Sequence, residues 1–376
     1  MRVLYVSKAL HVAAYREKLR ALAEHIDIRA VTPDRWNGAR FEPGQPDERI
    51  APQPVVLPGH NHFHLYASPR ALLAEPVDLV HIDEEPYSAV TAQLVSACRA
   101  RGIPCLFFAW QNLAKRLPPP FGLMRAYVFR AVAGGIAGTP RAAEVLRRAG
   151  FNRPLATIPQ FGVDAARFAP DVPARTSVRA RLGAGESDFV VGFGGRLVRE
   201  KGVHVLLAAV SGLAGVRLLF LGDGPERAAL VREAAHAGCA ARVHFAGPVH
   251  SLEIARWLCA LDALVLPSLT RSNWTEQFGR ILVEAMACEV PVVGSGAGEI
   301  PHVMGSAGIT VSEGDVASLR DALAMLVASP ARRQTLGRLG RTRVLARFTH
   351  ERVASATAEF YRTLLPERSP AWARER

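Results

Sequence analysis

The stretch Phe189-Val190-Val191-Gly192-Phe193-Gly194-Gly195-Arg196-Leu197-Val198-Arg199-Glu200-Lys201-Gly202 decides how the fold is read. It starts as a continuous apolar run, ends in glycines, and passes through a charged loop towards the next helix. An apolar run without polar alternation suits a strand buried on both faces of a parallel sheet. Glycines at its end let the backbone turn sharply and approach a ligand closely. The same unit repeats downstream at Val216–Leu221, Arg242–Phe245, Ala263–Pro267 and Pro291–Gly294. Upstream, the apolar runs Arg2–Ser7, Val77–Ile82, Pro104–Ala109 and Gly134–Thr139 alternate with helical patterns such as Tyr15–Glu24, Tyr87–Ala100 and Arg141–Ala149. Alternating strands and helices predict an α/β chain with parallel sheets covered on both faces.

The rhythm breaks around Ile158-Pro159-Gln160-Phe161-Gly162-Val163-Asp164, and the Pro/Ala/Arg-rich sequence that follows, to about Arg181, reads as an interdomain linker. A length of 376 residues suits about two domains. The expected division is an N-terminal domain over 1–165, a C-terminal domain over 166–348, and a C-terminal helix over 349–376 packing back on the first domain. Thr349 reads as the N-cap of that helix, with Glu351 and Arg352 in its first turn. Two doubly wound halves place a ligand cleft at the carboxyl ends of their strands.

Hydrophobic and charged fractions of 49% and 21% are those of a soluble globular protein. No apolar run approaches the ~18–20 residues that span a bilayer. The chain enters a strand directly at Arg2-Val3-Leu4-Tyr5-Val6, without a signal-peptide pattern. Five scattered cysteines without C-x-x-C spacing read as reduced thiols, so a cytoplasmic location is expected. The net charge of +12 points to an anionic partner: a phosphorylated substrate, a membrane surface or nucleic acid. The arginines are spread out, with no polybasic block and no aromatic RNA-binding signature, which argues against nucleic acid. An Arg-biased composition with no such partner explains the charge equally well.

Arg196 and Lys201, beside backbone amides at a strand end, form a pattern suited to a diphosphate, with a planar fork and a point charge. The loop is neither a P-loop nor G-x-G-x-x-G, and two solvated cations fit it as well. Gly222-Asp223-Gly224-Pro225 reads as a tight turn before a helix, Gly247-Pro248-Val249-His250 as a segment able to present backbone to a base, and Gly294-Ser295-Gly296-Ala297-Gly298-Glu299-Ile300-Pro301 as a second Gly-rich turn. In Thr275-Glu276-Gln277-Phe278-Gly279-Arg280-Ile281-Leu282-Val283-Glu284-Ala285-Met286-Ala287, a loop turns into an apolar helix with carboxylates eight residues apart. Eight helical residues rise roughly 12 Å, about the reach from sugar to ribose in an extended nucleotide-sugar, with the helix N-terminus between them facing phosphates. A capping Glu276 and a solvated Glu284 is the plainer reading of the same spacing. His60, His62 and His64 alternate without an acidic second shell, which favours an exposed strand face or acceptor-side loop over a metal site. Asp83-Glu84-Glu85, after a strand, is the other acidic cluster, and no D-x-D metal motif is evident.

Taken in order, Gly195-Arg196, Lys201-Gly202, Gly222-Asp223-Gly224-Pro225, Glu276-x₇-Glu284, Pro291-Val292-Val293 and Gly298-Glu299-Ile300-Pro301 resemble the retaining glycosyltransferases of the GT-B fold, family four (glycosyl transferases group 1). Ile158-Pro159 and Gly162-Val163-Asp164 are similar to that family's domain junction. The resemblance implies an α/β GT-B architecture: two Rossmann-like doubly wound parallel-sheet domains facing a central cleft, with C-terminal helices. It makes the first domain the acceptor side and the second the nucleotide-sugar side. It assigns Arg196 and Lys201 to the donor diphosphate, Glu276 to the transferred sugar, and Glu284 to the ribose hydroxyls. Gly195 and the backbone around Phe278, Gly279, Arg280 and Ile281 fall at the phosphates, with Val249 near the base. The implied reaction moves a hexosyl group from a nucleoside-diphosphate sugar to a sugar, glycan or lipid-linked acceptor with retained configuration. A phosphate oxygen takes the acceptor's proton, and neither a metal nor another cofactor is expected.

Two departures stand out on the acceptor side. Ser7-Lys8-Ala9-Leu10 replaces the glycine pair of many relatives, and Lys8 is either directed at a phosphate or merely solvated. Trp110-Gln111-Asn112 stands where many relatives carry a His; Gln111 and Asn112 can bond a sugar hydroxyl but cannot titrate near neutral pH. The segment Lys115–Arg130 mixes cations with large apolar residues and reads as a helix from near Pro120, packed on the sheet or lying on an anionic membrane surface. Alternative readings of the whole are a sugar-nucleotide epimerase or phosphorylase on the same scaffold, or a non-catalytic nucleotide-sugar-binding protein. The base, the sugar and the acceptor are not encoded in any of these motifs.

Overall fold

The computed structural model describes residues 1–44, 48–185 and 187–365. The chain forms two compact units: one from Met1–Gly162 together with the chain from His350 onward, the other from Val163–Thr349. Of the expected C-terminal helix, residues 366–376 lie outside the described residues.

The first unit contains β1 (Arg2–Val6), β2 (Asp27–Pro33), the short hairpin β3 (Arg35–Trp36) and β4 (Ala39–Arg40), then β5 (Ile50–Gln53). There follow a second hairpin, β6 (Val55–Val56) with β7 (Leu65–Tyr66), and then β8 (Leu79–Ile82), β9 (Cys105–Ala109), β10 (Gly134–Ala137) and β11 (Leu155–Thr157). Seven of these form a parallel sheet in the order β11-β10-β9-β8-β1-β2-β5. Successive strand residues face opposite sides, so Val3 and Tyr5 join a core with Leu19, Leu22, Val353, Ala354 and Tyr361. Leu4 and Val6 join another with Val90, Leu94, Val128 and Phe129. Helices Glu17–Ala23 and His350–Leu364 thus cover one face of the sheet, and Ala89–Ala100 and Phe121–Ala131 the other.

The second unit carries β12 (Phe189–Gly194), β13 (Val216–Leu221), β14 (Val243–Gly247), β15 (Ala263–Leu266), β16 (Val292–Ser295) and β17 (Gly308–Val311), all parallel, in the order β14-β13-β12-β15-β16-β17. The central strands β12, β15 and β16 are buried along their whole length, while the edge strands β14 and β17 are half-buried. In each sheet the chain winds outwards in both directions from one strand pair, β1/β8 and β12/β15. The loops after those strands diverge there, and crevices open at such switch points.

The region read as a linker is partly a helix. Val172–Arg181 is helical, with the Asp171 side chain accepting from Ala174 N at its start and Pro173 in its first turn. Two arginines on one face of it clamp a carboxylate distant in sequence: Arg175 Nη2 lies 2.6 Å from Asp262 Oδ1 and Arg179 Nη1 3.0 Å from Asp262 Oδ2. Arg179 also donates to the carbonyls of Gly185 and Asp188, both at 2.6 Å. The compositional signal for a linker was a charged clamp whose partner lies in a remote loop. The division between units falls at Gly162/Val163, slightly before the expected boundary at 165. Val163 N already bonds Phe348 O at 2.8 Å, which ties it to the second unit.

Candidate functional site

At the β12/β15 switch point the backbone packs against backbone. Gly195 and Gly222 both have φ +143°, and a Cβ on Gly222 would come 2.0 Å from Gly195 O. Gly202, left-handed at φ +67°, sits so close to the loop after β15 that a Cβ would lie 1.9 Å from Pro267 O. Only glycine tolerates both the torsion and the approach. This closeness brings Lys201, in the short turn Arg199–Lys201, across to the loop after β15. Its Nζ lies 2.7 Å from Glu276 Oε2, which also accepts a 2.8 Å bond from Ser268 Oγ. Ser268 is fixed in turn through its carbonyl, which accepts from Ser295 Oγ at 2.5 Å. The loop after β16 closes the arrangement: Glu299 N donates to Glu276 O at 3.1 Å, and Gly298, at φ +54°, leaves no room for a Cβ, which would lie 2.0 Å from that same oxygen.

Glu276 is therefore a buried carboxylate (6% exposed) held from three strand ends. A buried charge persists only when paired and hydrogen-bonded, and Lys201 and Ser268 meet that condition. The Lys201 Nζ also sits 5.2 Å from the Trp274 ring centroid. Arg196, by contrast, is exposed, and its guanidinium has no partner among the described residues.

The helix that follows runs Arg280–Ala287, with Gly279 as a left-handed N-cap. The amides of its first turn have no intrahelical carbonyl to bond, and with the helix dipole they form an anion-favouring end. Ile281 packs beneath β12 where Gly194 leaves room, since a Cβ there would lie 2.7 Å from Ile281 Cγ1. Phe278 meets Phe348 edge-on at 5.7 Å. Neither reading of the Glu276/Glu284 spacing survives intact. Glu276 precedes the helix and is not its cap, so the 12 Å helical rise does not separate the pair. Glu284 is not solvated either: it is 7% exposed, and its Oε1 lies 2.8 Å from Arg280 Nε. The half-buried Val249 side chain packs against the core of the second unit.

In the first unit, the β1/β8 switch point is filled by side chains. Ser7 Oγ donates to Asp83 Oδ2 at 2.7 Å, and Gln160 Nε2 lies 2.8 Å from both oxygens of Asp83. Trp110 Nε1 donates to Gln160 Oε1 at 2.5 Å. Lys8 is half-buried and forms an ion pair with Glu84, so it is not merely a solvated surface cation. Burial pushes the Glu84 carboxyl up to about 7, against the pull of Lys8. Glu85 is likewise pushed up to about 7 by burial, although its Oε1 accepts from Trp110 N at 2.8 Å and Gln111 N at 3.0 Å. Behind them lies a buried lysine, Lys18, brought down to about 8 by burial, with its Nζ 3.3 Å from Tyr5 OH. His81, lowered well below its ordinary value by burial, meets Tyr361 OH of the C-terminal helix at 2.5 Å.

Gln111 is half-buried and Asn112 buried at 6% exposed. The alternating histidines do not share a face: His60 is exposed, His62 half-buried and His64 fully buried. His62 Nδ1 pairs with Ser88 Oγ at 3.0 Å and His64 Nδ1 with His60 O at 3.2 Å. No group of three or more His, Cys, Asp or Glu side chains is placed to hold a metal ion among the described residues. The cation-rich segment forms the helix Phe121–Ala131, which buries Val128 and Phe129 and leaves Leu123 70% exposed. No helix among the described residues is long and apolar enough to cross a membrane.

Sequence reasoning did not single out Ser268, Trp274, Gln160 or Lys18. Trp274 and Gln160 meet partners far along the chain, Lys201 and Asp83, and Ser268 and Lys18 meet Glu276 and Tyr5 at spacings of 8 and 13 that match no local motif.

The model of the family Glycosyl transferases group 1 matches residues 188–329. The chain is 30% identical over 266 residues to the lipopolysaccharide core biosynthesis glycosyltransferase LpsE of Rhizobium meliloti, covering 67% of this chain and 74% of that relative. It is 35% identical over 188 residues to a GDP-mannose-dependent alpha-(1-6)-phosphatidylinositol monomannoside mannosyltransferase of Mycolicibacterium smegmatis. That match covers 48% of this chain and 49% of the relative, so the chain spans about half that protein's length. Among solved structures, Anabaena HepE in complex with UDP matches with a TM-score of 0.78 over 96% of this chain and 100% of that one, at 18% identity, a likeness of fold.

Proposed function

The chain belongs to the glycosyl transferases group 1, and on that premise we propose that it moves a hexosyl group from a nucleoside-diphosphate sugar to an acceptor with retention and without a metal. The observation that carries this reading is the Lys201–Glu276 pair, drawn across the β12/β15 switch point at 2.7 Å, with Arg196, exposed and without a carboxylate partner among the described residues, just after the end of β12. Arg196 and Lys201 grip the diphosphate and neutralise the charge that grows as the nucleoside diphosphate leaves. Glu276 accepts from hydroxyls of the transferred sugar, and its fixed position lowers the entropy cost of alignment. The amides of Gly279, Arg280 and Ile281 face the phosphates, and Glu284 accepts from the ribose. The acceptor attacks from the face the leaving group vacates, and a phosphate oxygen takes its proton. Glycosidase chemistry with a carboxylate nucleophile is the wrong template, because Glu276 is already engaged by Lys201 and Ser268.

The relatives named for phosphatidylinositol mannoside and lipopolysaccharide core support a lipid-linked or glycan acceptor. With it goes a cytoplasmic location and peripheral contact with an anionic membrane through the Lys115–Arg130 segment.

A thermal-shift screen of UDP-, GDP- and ADP-sugars identifies the donor, since a ligand of the native state raises the melting temperature. With that donor, Glu276→Ala is expected to lower transfer and donor hydrolysis by about 100-fold or more; wild-type rates would end the sugar-side assignment. Glu284→Gln is expected to weaken binding of the free nucleoside diphosphate in calorimetry.

A further inference from the structure

The loop between β15 and the helix Arg280–Ala287 is fastened at several points and carries one large aromatic side chain, Trp274. Leu269 N donates to Glu200 O at 2.7 Å, which joins the loop to the turn that holds Lys201. Thr270 is gripped by a carboxylate from the loop after β17: its N donates to Glu313 Oε2 at 2.6 Å and its Oγ1 to Glu313 Oε1 at 2.9 Å. Thr270 Oγ1 also meets Thr275 Oγ1 at 3.1 Å, and Thr275 is buried beside Glu276. Between these two threonines, Arg271 N donates to Trp274 O at 2.7 Å and Trp274 N to Arg271 O at 3.4 Å, so Ser272 and Asn273 form a two-residue turn. The backbone of Trp274 is thereby fixed before any ligand arrives.

Trp274 is half-buried, and its ring lies against the charge pair: Lys201 Nζ, 2.7 Å from Glu276 Oε2, is 5.2 Å from the ring centroid. The indole N–H donates to no atom among the described residues, and it still reaches solvent. A tryptophan N–H needs a hydrogen-bond partner once it is covered, so whatever covers this ring has to bring an acceptor. The ring also selects what packs on it. Its faces are negative, which attracts cations and polarised C–H groups and repels phosphate oxygens. A hexose offers both C–H groups for the ring and hydroxyl oxygens for the N–H; a diphosphate offers neither C–H groups nor neutrality.

We propose that Trp274 is the platform for the transferred hexose, with the C–H groups of the sugar packed on its ring and a sugar hydroxyl accepting from Nε1, and that Glu313 positions this platform through Thr270. Where the sugar lies rests on the transfer reading above; which residue covers it rests on this loop alone. Glu276 accepts from hydroxyls on one part of the sugar while Trp274 covers another. A hydroxyl directed at the ring would hold the sugar away from it, so the platform discriminates among hexoses, which contacts to the diphosphate do not.

The test is titration calorimetry of the full chain with UDP-glucose, GDP-mannose and ADP-glucose, each beside its free nucleoside diphosphate. Trp274→Ala is expected to weaken the nucleotide sugar that wild type binds by about tenfold, while the free diphosphate stays within about twofold. Trp274→Phe, which keeps a ring and loses the N–H, is expected to recover part of that loss. Glu313→Ala is expected to weaken the nucleotide sugar by about threefold and to add nothing further in the Trp274→Ala background, because both changes act on one contact. Glu313→Gln, still able to accept from Thr270 N, is expected to restore most of the affinity.

Equal affinity of wild type and Trp274→Ala for the nucleotide sugar overturns the platform. So does a loss shared equally by the free diphosphate in both Trp274→Ala and Trp274→Phe, which would place the effect at Lys201. Additive losses in the double variant overturn the role of Glu313. Intact diphosphate binding shows that each variant is folded at this site. If wild type binds neither nucleotide sugar nor diphosphate, the transfer reading fails and the platform with it; if wild type binds the nucleotide sugar and Trp274→Ala is indifferent, only the platform fails.

Discussion

Both sheets reverse their winding at a lysine–glutamate pair, Lys8–Glu84 between β1 and β8 and Lys201–Glu276 between β12 and β15. Each has a serine nearby, but placed differently: Ser7 bonds Asp83, next to the paired Glu84, whereas Ser268 bonds the paired Glu276 itself. The difference lies in what surrounds the pair. In the second unit, left-handed glycines at 202 and 298 bring loops into backbone contact, and a left-handed Gly279 starts the helix after Glu276. In the first unit the strand ends carry Ser7-Lys8 and Asp83-Glu84-Glu85 with no glycine, and side chains fill the edge with a polar network. On the proposed function, an edge built from backbone suits what every nucleotide donor shares, its phosphates, through amides any sequence provides. An edge built from side chains can be rewritten residue by residue, which suits an acceptor that differs from one relative to the next.

The sharpest break of this comparison is a matched pair of changes. If Lys201 holds the diphosphate as proposed, Lys201→Met is expected to lower transfer about 100-fold, because the leaving group then loses a fixed cation. Lys8→Met is expected to cost less than about tenfold, because Glu84, with its carboxyl already near 7, neutralises once its partner is gone. Steady-state rates at saturating donor, read beside urea melts of both variants, check it; equal losses would make the two pairs equivalent.

A smaller effect separates the units by pH. Glu84 has a folded pKa of about 7 against 4.5 ordinarily, so the folded chain binds the extra proton between those values. Stability from this group is full below about 4.5 and is lost as pH rises through 7. Relative to wild type, Glu84→Gln should therefore gain stability across that window, by on the order of 3 kcal/mol at most. The comparison with wild type matters because His64, lowered to about 4 by burial, shifts stability in the opposite direction over much of the same range. Denaturant melts at pH 5 and pH 8 measure it, and a pH-independent difference would contradict the burial argument.

The smallest effect is carried by the serines. Ser268→Ala removes one hydrogen bond from Glu276 and is expected to cost about 1 kcal/mol, read as a several-fold fall in kcat. Ser7→Ala is expected to cost a similar amount in stability while nucleoside diphosphate affinity stays unchanged.

The strands were readable because burial on both faces demands unbroken apolar runs, and β9, β12 and β15 are such runs. The donor-side motifs were readable for a related reason: a left-handed torsion at Gly202 or a close approach at Gly298 admits almost nothing but glycine. Where charge was involved, the reading faltered. Val172–Arg181 passed for a linker because its arginines answer to Asp262, and the pairing of Lys8 went unread because Glu84 lies a strand away. The eight-residue spacing of Glu276 and Glu284 was taken along one helix, but Gly279 starts that helix after Glu276. The histidines at 60, 62 and 64 looked equivalent by alternation, yet the hairpin turns only His64 fully inwards.

The order of apolar runs and glycines was enough to set two parallel α/β sheets and the site loops at their strand ends, because those constraints act on each residue's own backbone and solvation. Which charges meet was settled by folding alone. Ion pairing depends on distance in space, and the pairs Lys201–Glu276 and Lys8–Glu84 join residues that share no local pattern. The same holds for Glu85, whose carboxylate, just after β8, accepts from Trp110 N and Gln111 N after β9.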